Sequence, residues 1–476
     1  PTSSVSPTPT STPTPSATGS PVPTGSPTTA ATPTAAAACP AAYRAPDPGR
    51  PVVSLEFSLA GDRSRLTGVQ TVAFTPDLPV TEIVFRLWPN GPQTAPAGAV
   101  LRVQRATIDG RPAPTRITAG GGPSETRGTL LRIPLDRRRP AAGRIDVGLR
   151  FTVDLPGVIA DRLGHSPRTA WWASAHPMLA WVRGVGWQVD PAPETPGEGQ
   201  VSEEFALRSL TVDVPTGDEV LATGEPVTTR NGAIGRTLHT FQARSVRDVA
   251  VVAGELKLVE ARAAGVPIVV GLSADGVGPA GSSDVDEVVG LATRSVEDMA
   301  KRFGPFPYER LSLALIPGIT GGIEYPGVIL LGGQANRIVV AHEVGHEWFY
   351  GLVGNNQARD PWLDEAFATY AEALFNRSDE YVGAHRNPAA LDKVGAPMSF
   401  WDARDSADYQ QTVYGQGAGA LLTARSRVGA ETFDRAIRCY VAANAHRIAR
   451  PDDLRAALAG LPAAVEELTS AGAFSR

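Results

Sequence analysis

From Pro51 to about Val259, apolar and polar residues alternate in short runs. Val52-Val53-Ser54-Leu55-Glu56-Phe57, Gln70-Thr71-Val72-Ala73-Phe74, Glu82-Ile83-Val84-Phe85-Arg86-Leu87-Trp88 and Arg144-Ile145-Asp146-Val147-Gly148-Leu149-Arg150-Phe151 put every second side chain, or nearly so, on one face. That is the pattern of half-buried strands. Leu210-Thr211-Val212-Asp213-Val214-Pro215 and Val249-Ala250-Val251-Val252-Ala253 extend the set, and the Gly and Pro clusters between runs predict an antiparallel sandwich or saddle. Near residue 282 the period lengthens to 3.6: Val285, Val288, Val289, Ala292, Val296, Met299 and Phe303 form one helical stripe. Ser283 and Asp284 suit its start, and Gly304-Pro305 its end. Leu311 to Ile316 reads as a buried strand, and Gly327-Val328-Ile329-Leu330-Leu331 as an edge strand. Further helices are expected around Ala418–Arg427, Ala430–Ala443 and Pro451–Leu458.

Chemistry enters at His342-Glu343-Val344-Gly345-His346, with Glu365 following in a second helix that opens at Asp360-Pro361. Residues four apart on a helix share a face, so two imidazoles reach one ion while Glu343 projects beside them. Val339, Val340, Val344 and Phe349 make this a buried helix, where solvated histidines would be out of place. Two histidines and a distant carboxylate are three ligands for one Zn2+ ion, and the open fourth position marks a catalytic site. A metzincin would need Gly and His three and six residues after His346, where Phe349 and Leu352 stand. A glutamate third ligand makes the candidate a gluzincin.

The run His342-Glu343-Val344-Gly345-His346-Glu347-Trp348-Phe349, followed by Trp362-Leu363-Asp364-Glu365-Ala366-Phe367-Ala368, resembles the aminopeptidase N family of zinc metallopeptidases. Gly321-Gly322-Ile323-Glu324-Tyr325-Pro326 is similar to that family's substrate-anchoring loop, and Tyr414-Gly415-Gln416-Gly417-Ala418 to the segment carrying its catalytic tyrosine. The resemblance implies an α+β multidomain chain, with an antiparallel β-sandwich or saddle domain ahead of a thermolysin-like zinc peptidase domain and a short helical C-terminus. Expected bounds are 1–45 for a disordered stalk, 46–262 for the β domain and 263–476 for the catalytic domain. It also implies roles: His342, His346 and Glu365 as zinc ligands, Glu343 as general base and Tyr414 as oxyanion donor, with Tyr409 as rival. Gly321, Gly322 and Glu324 would bind the substrate, Glu324 holding the amino group at a peptide's N-terminus. Glu372 is open between orienting a ligand histidine and pairing with Arg377. Two departures stand out. Tyr325 occupies a place usually held by asparagine, and no second amine-binding residue is evident in Trp171-Trp172-Ala173-Ser174-Ala175-His176-Pro177-Met178, where His176 is a stand-in. The tryptophans of this region read as core packing rather than a cleft wall.

Composition adds context. Residues 1–38 are Pro, Thr, Ser, Ala, Gly and Val apart from no charged residue at all, with nine prolines, so they cannot build a core. They read as an extended stalk behind a removed export signal, which points to a secreted protein or a bacterial surface lipoprotein with lipid or cell-wall anchoring through that stalk. Ala36-Ala37-Ala38-Cys39 is a weak lipidation pattern, lacking an apolar run before it. A net charge of −5 with no basic patch argues against nucleic acid, and no stretch is apolar enough for a membrane span. The two cysteines, Cys39 and Cys439, leave a disulfide open. The expected activity is peptide hydrolysis, chiefly removal of N-terminal residues. An endopeptidase is favoured by Tyr325 and the short C-terminus, and a silent surface scaffold is disfavoured by the complete motif.

Overall fold

Alternation in the first half of the chain becomes alternating burial. In a computed structural model, which describes residues 39–120, 128–157, 162–277, 284–333, 335–378 and 387–475, Val52–Leu59 and Ile145–Asp154 bury every second side chain. Residues 1–38 of the stalk expected over 1–45, the Ala36-Ala37-Ala38 part of the lipidation pattern and Ser283 lie outside the described residues, while residues 39–45 are described and belong to the packed unit. An eight-stranded sheet runs Glu225–Asn231, Arg236–Val246, Phe205–Pro215, Val52–Leu59, Arg65–Phe74, Ile145–Asp154, Val100–Ile108, Arg111–Pro112. Its pairings are antiparallel except Val52–Leu59 with Phe205–Pro215, which no hairpin joins and which run parallel. Two four-stranded sheets pack against it. One contains Thr169–Ala173, whose Trp172 meets Phe57 edge-on at 5.9 Å. The tryptophans are core: Trp181 and Trp187 lie 4.7 Å apart and both touch Phe74. His176 is 2% exposed and packs on Phe205, a structural histidine away from the cleft.

The second sheet system has five strands in the order Leu256–Ala263, Val266–Ser273, Leu311–Leu315, Val328–Leu331, Gly322–Tyr325. Val328–Leu331, expected at the edge, is flanked on both sides, parallel to Leu311–Leu315 and antiparallel to Gly322–Tyr325. The reason is the tight turn at Pro326-Gly327, where Gly327 takes φ +71° and folds residues 322–325 back as a hairpin. Glu324 therefore stands on the edge strand itself. The helices follow the predicted stripe: α1 Val285–Phe303, capped by Asp284 accepting from the Asp286 amide, then α2 Arg337–His346 and α3 Trp362–Asn376. After them come α4 Met398–Trp401, α5 Ser406–Tyr409, a π-helical stretch Gln410–Gln416, α6 Gly417–Val428, α7 Ala430–Asn444, α8 Pro451–Ala457 and α9 Pro462–Ser470. Periodicity did not mark α9. No helix among the described residues is long and apolar enough to cross a membrane.

Cys39–Arg476 pack as one unit, and their first residues bind the helical part before the chain enters the β-sheet. Cys39 and Cys439 of α7 form a disulfide with Cα atoms 4.9 Å apart, deciding the open pairing. The Arg44 amide donates to the Ala442 carbonyl at 2.9 Å. The Tyr43 hydroxyl donates to the Pro305 carbonyl at 2.7 Å and accepts from the Trp348 indole at 3.1 Å. Loss of the disulfide should cost about 2–4 kcal/mol through the unfolded state's regained freedom. The double substitution Cys39→Ala with Cys439→Ala should lower the unfolding midpoint, and dithiothreitol should produce the same drop in the unsubstituted protein alone. An unchanged midpoint would mean that Tyr43 and Arg44 hold this strap without help.

Candidate active site

The histidine helix owes its start to Asn336, whose side chain accepts from the Ile338 and Val339 amides at 2.9 and 3.2 Å. Its packing depends on Gly345. A Cβ there would lie 3.2 Å from the Ala368 Cα and 3.3 Å from the Ala371 Cβ, so α2 and α3 approach backbone to backbone. On α3, Pro361 already has helical angles, and Glu365 is one turn in, facing α2. His342 Nε2, His346 Nε2 and Glu365 Oε2 form a triangle with sides of 3.0, 3.2 and 3.4 Å. The other ring nitrogens are engaged away from it: His346 Nδ1 donates to the Phe349 carbonyl at 3.1 Å, and His342 Nδ1 lies 3.4 Å from the Thr369 hydroxyl. Both imidazoles thus turn Nε2 inward.

This donor set fits zinc. The corners of such a triangle lie about 1.8 Å from its centre, so one ion reaches all three at the ~2.0–2.1 Å of zinc–imidazole and zinc–carboxylate bonds. A second trio, Glu324, Glu343 and His346, has ligand atoms within 4.8 Å of one another. The first trio is the tighter of the two, its three donor atoms lying within 3.4 Å of one another. The electrostatics agree. Burial resists charge on His346, yet the carboxylates of Glu324, Glu365 and Glu343 together hold it well above the usual imidazole range. Burial also works against charge on Glu365, but His346 and His342 hold it well below the carboxylate range. The site draws positive charge to this spot.

Glu343 is 5% exposed, and its Oε2 has no hydrogen-bond partner. Burial pushes its carboxyl well up; His346 offsets this, while Glu324 and Glu365 add to it. Gly322 makes room for it: a Cβ there would stand 2.4 Å from Glu343 Cγ, so the edge strand passes Glu343 this closely because glycine stands in that place. Gly321, at φ +97°, supplies the turn into the strand. Glu324 points into the same cleft, where the Gln357 amide lies 3.4 Å from its Oε1. Burial raises the Glu324 carboxyl, an effect His346 opposes. Tyr325 is only 1% exposed and belongs to the apolar cluster beneath the sheet, so the departure at this position concerns packing. Glu372 lines the cleft, 3% exposed.

Tyr414 also lines the cleft, its ring stacked on His342 at 5.6 Å and 10°. Tyr409 sits behind it, 1% exposed, with ring centroids 5.7 Å apart. The π-helical stretch aligns residues five apart, which puts these two tyrosines on one face. Sequence reasoning missed Glu198, which accepts from the Tyr414 hydroxyl at 3.2 Å and is 1% exposed. The available signal was an acid flanked by Gly197 and Gly199 in a proline-rich run. The cleft enclosed by these residues holds about 680 Å³. Glu365→Ala should weaken metal retention: dialysis against a mild chelator, followed by elemental analysis, should strip the variant while the parent keeps one zinc per chain. Full occupancy in the variant would contradict ligation by Glu365.

Residues 332–471 match the family model described as "Peptidase family M1 domain". Among curated proteins, Aminopeptidase M1-B of Oryza sativa subsp. japonica is 28% identical over 198 residues, 35% of this chain and 23% of that one. Tricorn protease-interacting factor F2 of Thermoplasma volcanium is 28% identical over 196 residues, 35% of this chain and 25% of that one. The chain spans about a quarter of the length of these relatives. The solved M1 zinc metallopeptidase from Deinococcus radiodurans superimposes with a TM-score of 0.65 at 22% identity, over 89% of this chain and 92% of that one. A mutant of that enzyme bound to a Tyr-Ser-Ala substrate gives 0.64 at 21% identity, over 90% and 94%. The fold is that of the two-domain M1 zinc metallopeptidases, and residues 332–471, which hold both zinc-motif helices, are similar in sequence to the M1 peptidase domain.

Proposed function

We propose that this protein is a zinc-dependent aminopeptidase that removes residues from the free N-termini of peptides. The observation that carries the reading is the position of Glu324, a carboxylate on an edge strand whose ligand atom lies within 4.8 Å of those of Glu343 and His346. A peptide added to that edge by backbone pairing would bring its terminal ammonium to Glu324, with its first peptide bond beside Glu343. Zinc held by His342, His346 and Glu365 would polarise the scissile carbonyl and acidify a water next to it. Glu343 takes the proton from the attacking water and delivers it to the leaving nitrogen, a role its unpartnered Oε2 suits. Tyr414 donates its phenolic hydrogen to the oxygen on which charge develops. Gly321 and Gly322 let the substrate backbone approach. The family's tripeptide-bound relative supports a short peptide as substrate. Export to an oxidising compartment is the accompanying proposal, supported by the pairing of both cysteines.

A peptide library, half of it N-acetylated, tests the reading by mass spectrometry. Loss of single residues from free N-termini alone is expected. Internal cuts in free and blocked peptides alike would make the protein an endopeptidase, and intact peptides with zinc bound would make it a scaffold. Glu343→Gln should keep its zinc and lose turnover by about 10²-fold or more. Near-parental rates would remove Glu343 as base. Glu324→Ala should raise KM for free-amine peptides far more than for blocked ones, and an equal rise would remove the amine anchor.

A further inference from the structure

We propose that Glu198, reaching across from the β-rich part of the chain, is the positioning residue that sets Tyr414 in place for its hydrogen-bond donation. The inference rests on the reading of Tyr414 as the oxyanion donor and adds a residue to it. Three observations carry it.

Glu198 is a buried carboxylate with one task in view. Its Oε1 accepts the Tyr414 hydroxyl at 3.2 Å, and the Tyr409 ring stands edge-on to that of Tyr414, its centroid 5.7 Å away. Among the described residues no arginine or lysine forms an ion pair with it, and burying an acid without a cationic partner is costly unless hydrogen bonds compensate. The Tyr414 phenol is the group that does so, while the Glu198 Oε2 and the Tyr409 hydroxyl, both buried, make no hydrogen bond among the described residues.

The segment presenting Glu198 is held rigidly. Arg86, 3% exposed, donates to the Gln188 and Asp190 carbonyls at 2.5 and 3.1 Å. Gln93 donates to the Pro193 carbonyl at 3.0 Å and to that of Glu198 itself at 2.9 Å. Arg162 donates to the Gly197 carbonyl at 2.6 Å. From the helical side, Asp402 accepts from the Glu194 amide, the Thr195 amide and the Thr195 hydroxyl at 3.0, 3.0 and 2.9 Å. An acceptor mounted this way has little freedom, so it can serve as a stop for a side chain that must be held still.

The tyrosine needs such a stop. Its ring is stacked on His342 and meets Tyr409 edge-on, and neither ring contact fixes where the hydroxyl at its tip stands. The bond to Glu198 does. The phenolic proton itself remains free to swing about the C–O bond, from Glu198 in the resting cleft to the oxygen that gains charge in the transition state. Glu198 touches neither substrate nor metal ligand and acts through Tyr414.

Steady-state kinetics of the zinc-loaded protein on a free-amine peptide test this with Glu198→Ala, Glu198→Gln, Glu198→Asp, Tyr414→Phe and the double variant Glu198→Ala with Tyr414→Phe. Glu198→Ala should lower kcat on the order of tenfold with KM little changed, since a misplaced donor costs transition-state rather than ground-state binding. Glu198→Gln keeps the reach and an acceptor oxygen and should recover most of kcat. Glu198→Asp withdraws the acceptor by one methylene and should recover little. In the Tyr414→Phe background, Glu198→Ala should have no further effect. An aspartate better than glutamine would make the role one of charge and overturn positioning, even if the alanine variant does not fold. So would a full additional loss in the double variant, or unchanged kcat in Glu198→Ala. If Tyr414→Phe alone keeps full kcat, the reading of Tyr414 fails instead.

Discussion

The close crossing of α2 and α3 is the constraint on which the site depends. Glu365 belongs to a different helix from the two histidines, and its carboxylate comes within 3.4 Å of both rings because Gly345 and Ala368 let the backbones nearly touch. The same economy of side chain continues along α3, where Ala366 leaves a Gly417 Cβ no room, so α6 also lies close. Three helices thus meet at glycine and alanine. The bulk that stabilises them sits further out, in Trp348, Trp362, Phe367 and Tyr440, all buried. A methyl group added at the crossing would be felt as a displaced ligand before it was felt as lost stability.

That packing gathers an excess of negative charge. Glu324, Glu343, Glu365, Asp364 and Glu198 lie close to one another with only two imidazoles among them; burial works against the charge of all five, and only on Glu365 do the histidines reverse its effect. Such a cluster is unfavourable by itself and is relieved by cations. Two are available to the proposed chemistry, a divalent ion at the histidines and the ammonium of a peptide at Glu324. Metal binding and substrate binding would therefore relieve the same electrostatic tension, each from its own side. Glu347, directly after the second histidine, joins the two: its Oε2 accepts from the Gly327 amide at 3.0 Å, tying the histidine helix to the hairpin that bears Glu324.

Much of this was legible in the sequence because local periodicities survive in the fold. The stripe from Val285 to Phe303 became α1 residue for residue, and the His342–His346 spacing needed only a helix to bring two rings together. Glu324 and Tyr414 were legible through resemblance, since nothing in their own neighbourhoods requires a cleft. What could not be read depends on contacts distant in sequence or on rare backbone. The edge strand was placed one strand too far in, because burial of Val328-Ile329-Leu330-Leu331 looks the same with one neighbour or two. The π-helical turn aligning Tyr409 with Tyr414 has no periodic signature. Glu198 meets Tyr414 from more than two hundred positions away.

The disulfide gives the molecule a particular path for mechanical load. Cys439 is followed directly by Tyr440, whose ring stacks on Phe367 of α3 at 6.0 Å, two residues from Glu365. Tension applied to the chain ahead of Cys39, and resisted by a substrate gripped in the cleft, would pass through Cys439 and α7 into α3. It would bypass Val52–Leu59, which lies inside its sheet between Phe205–Pro215 and Arg65–Phe74 and would otherwise be the first strand pulled. The β-rich part, with the segment that carries Glu198, would stay unloaded under such a pull.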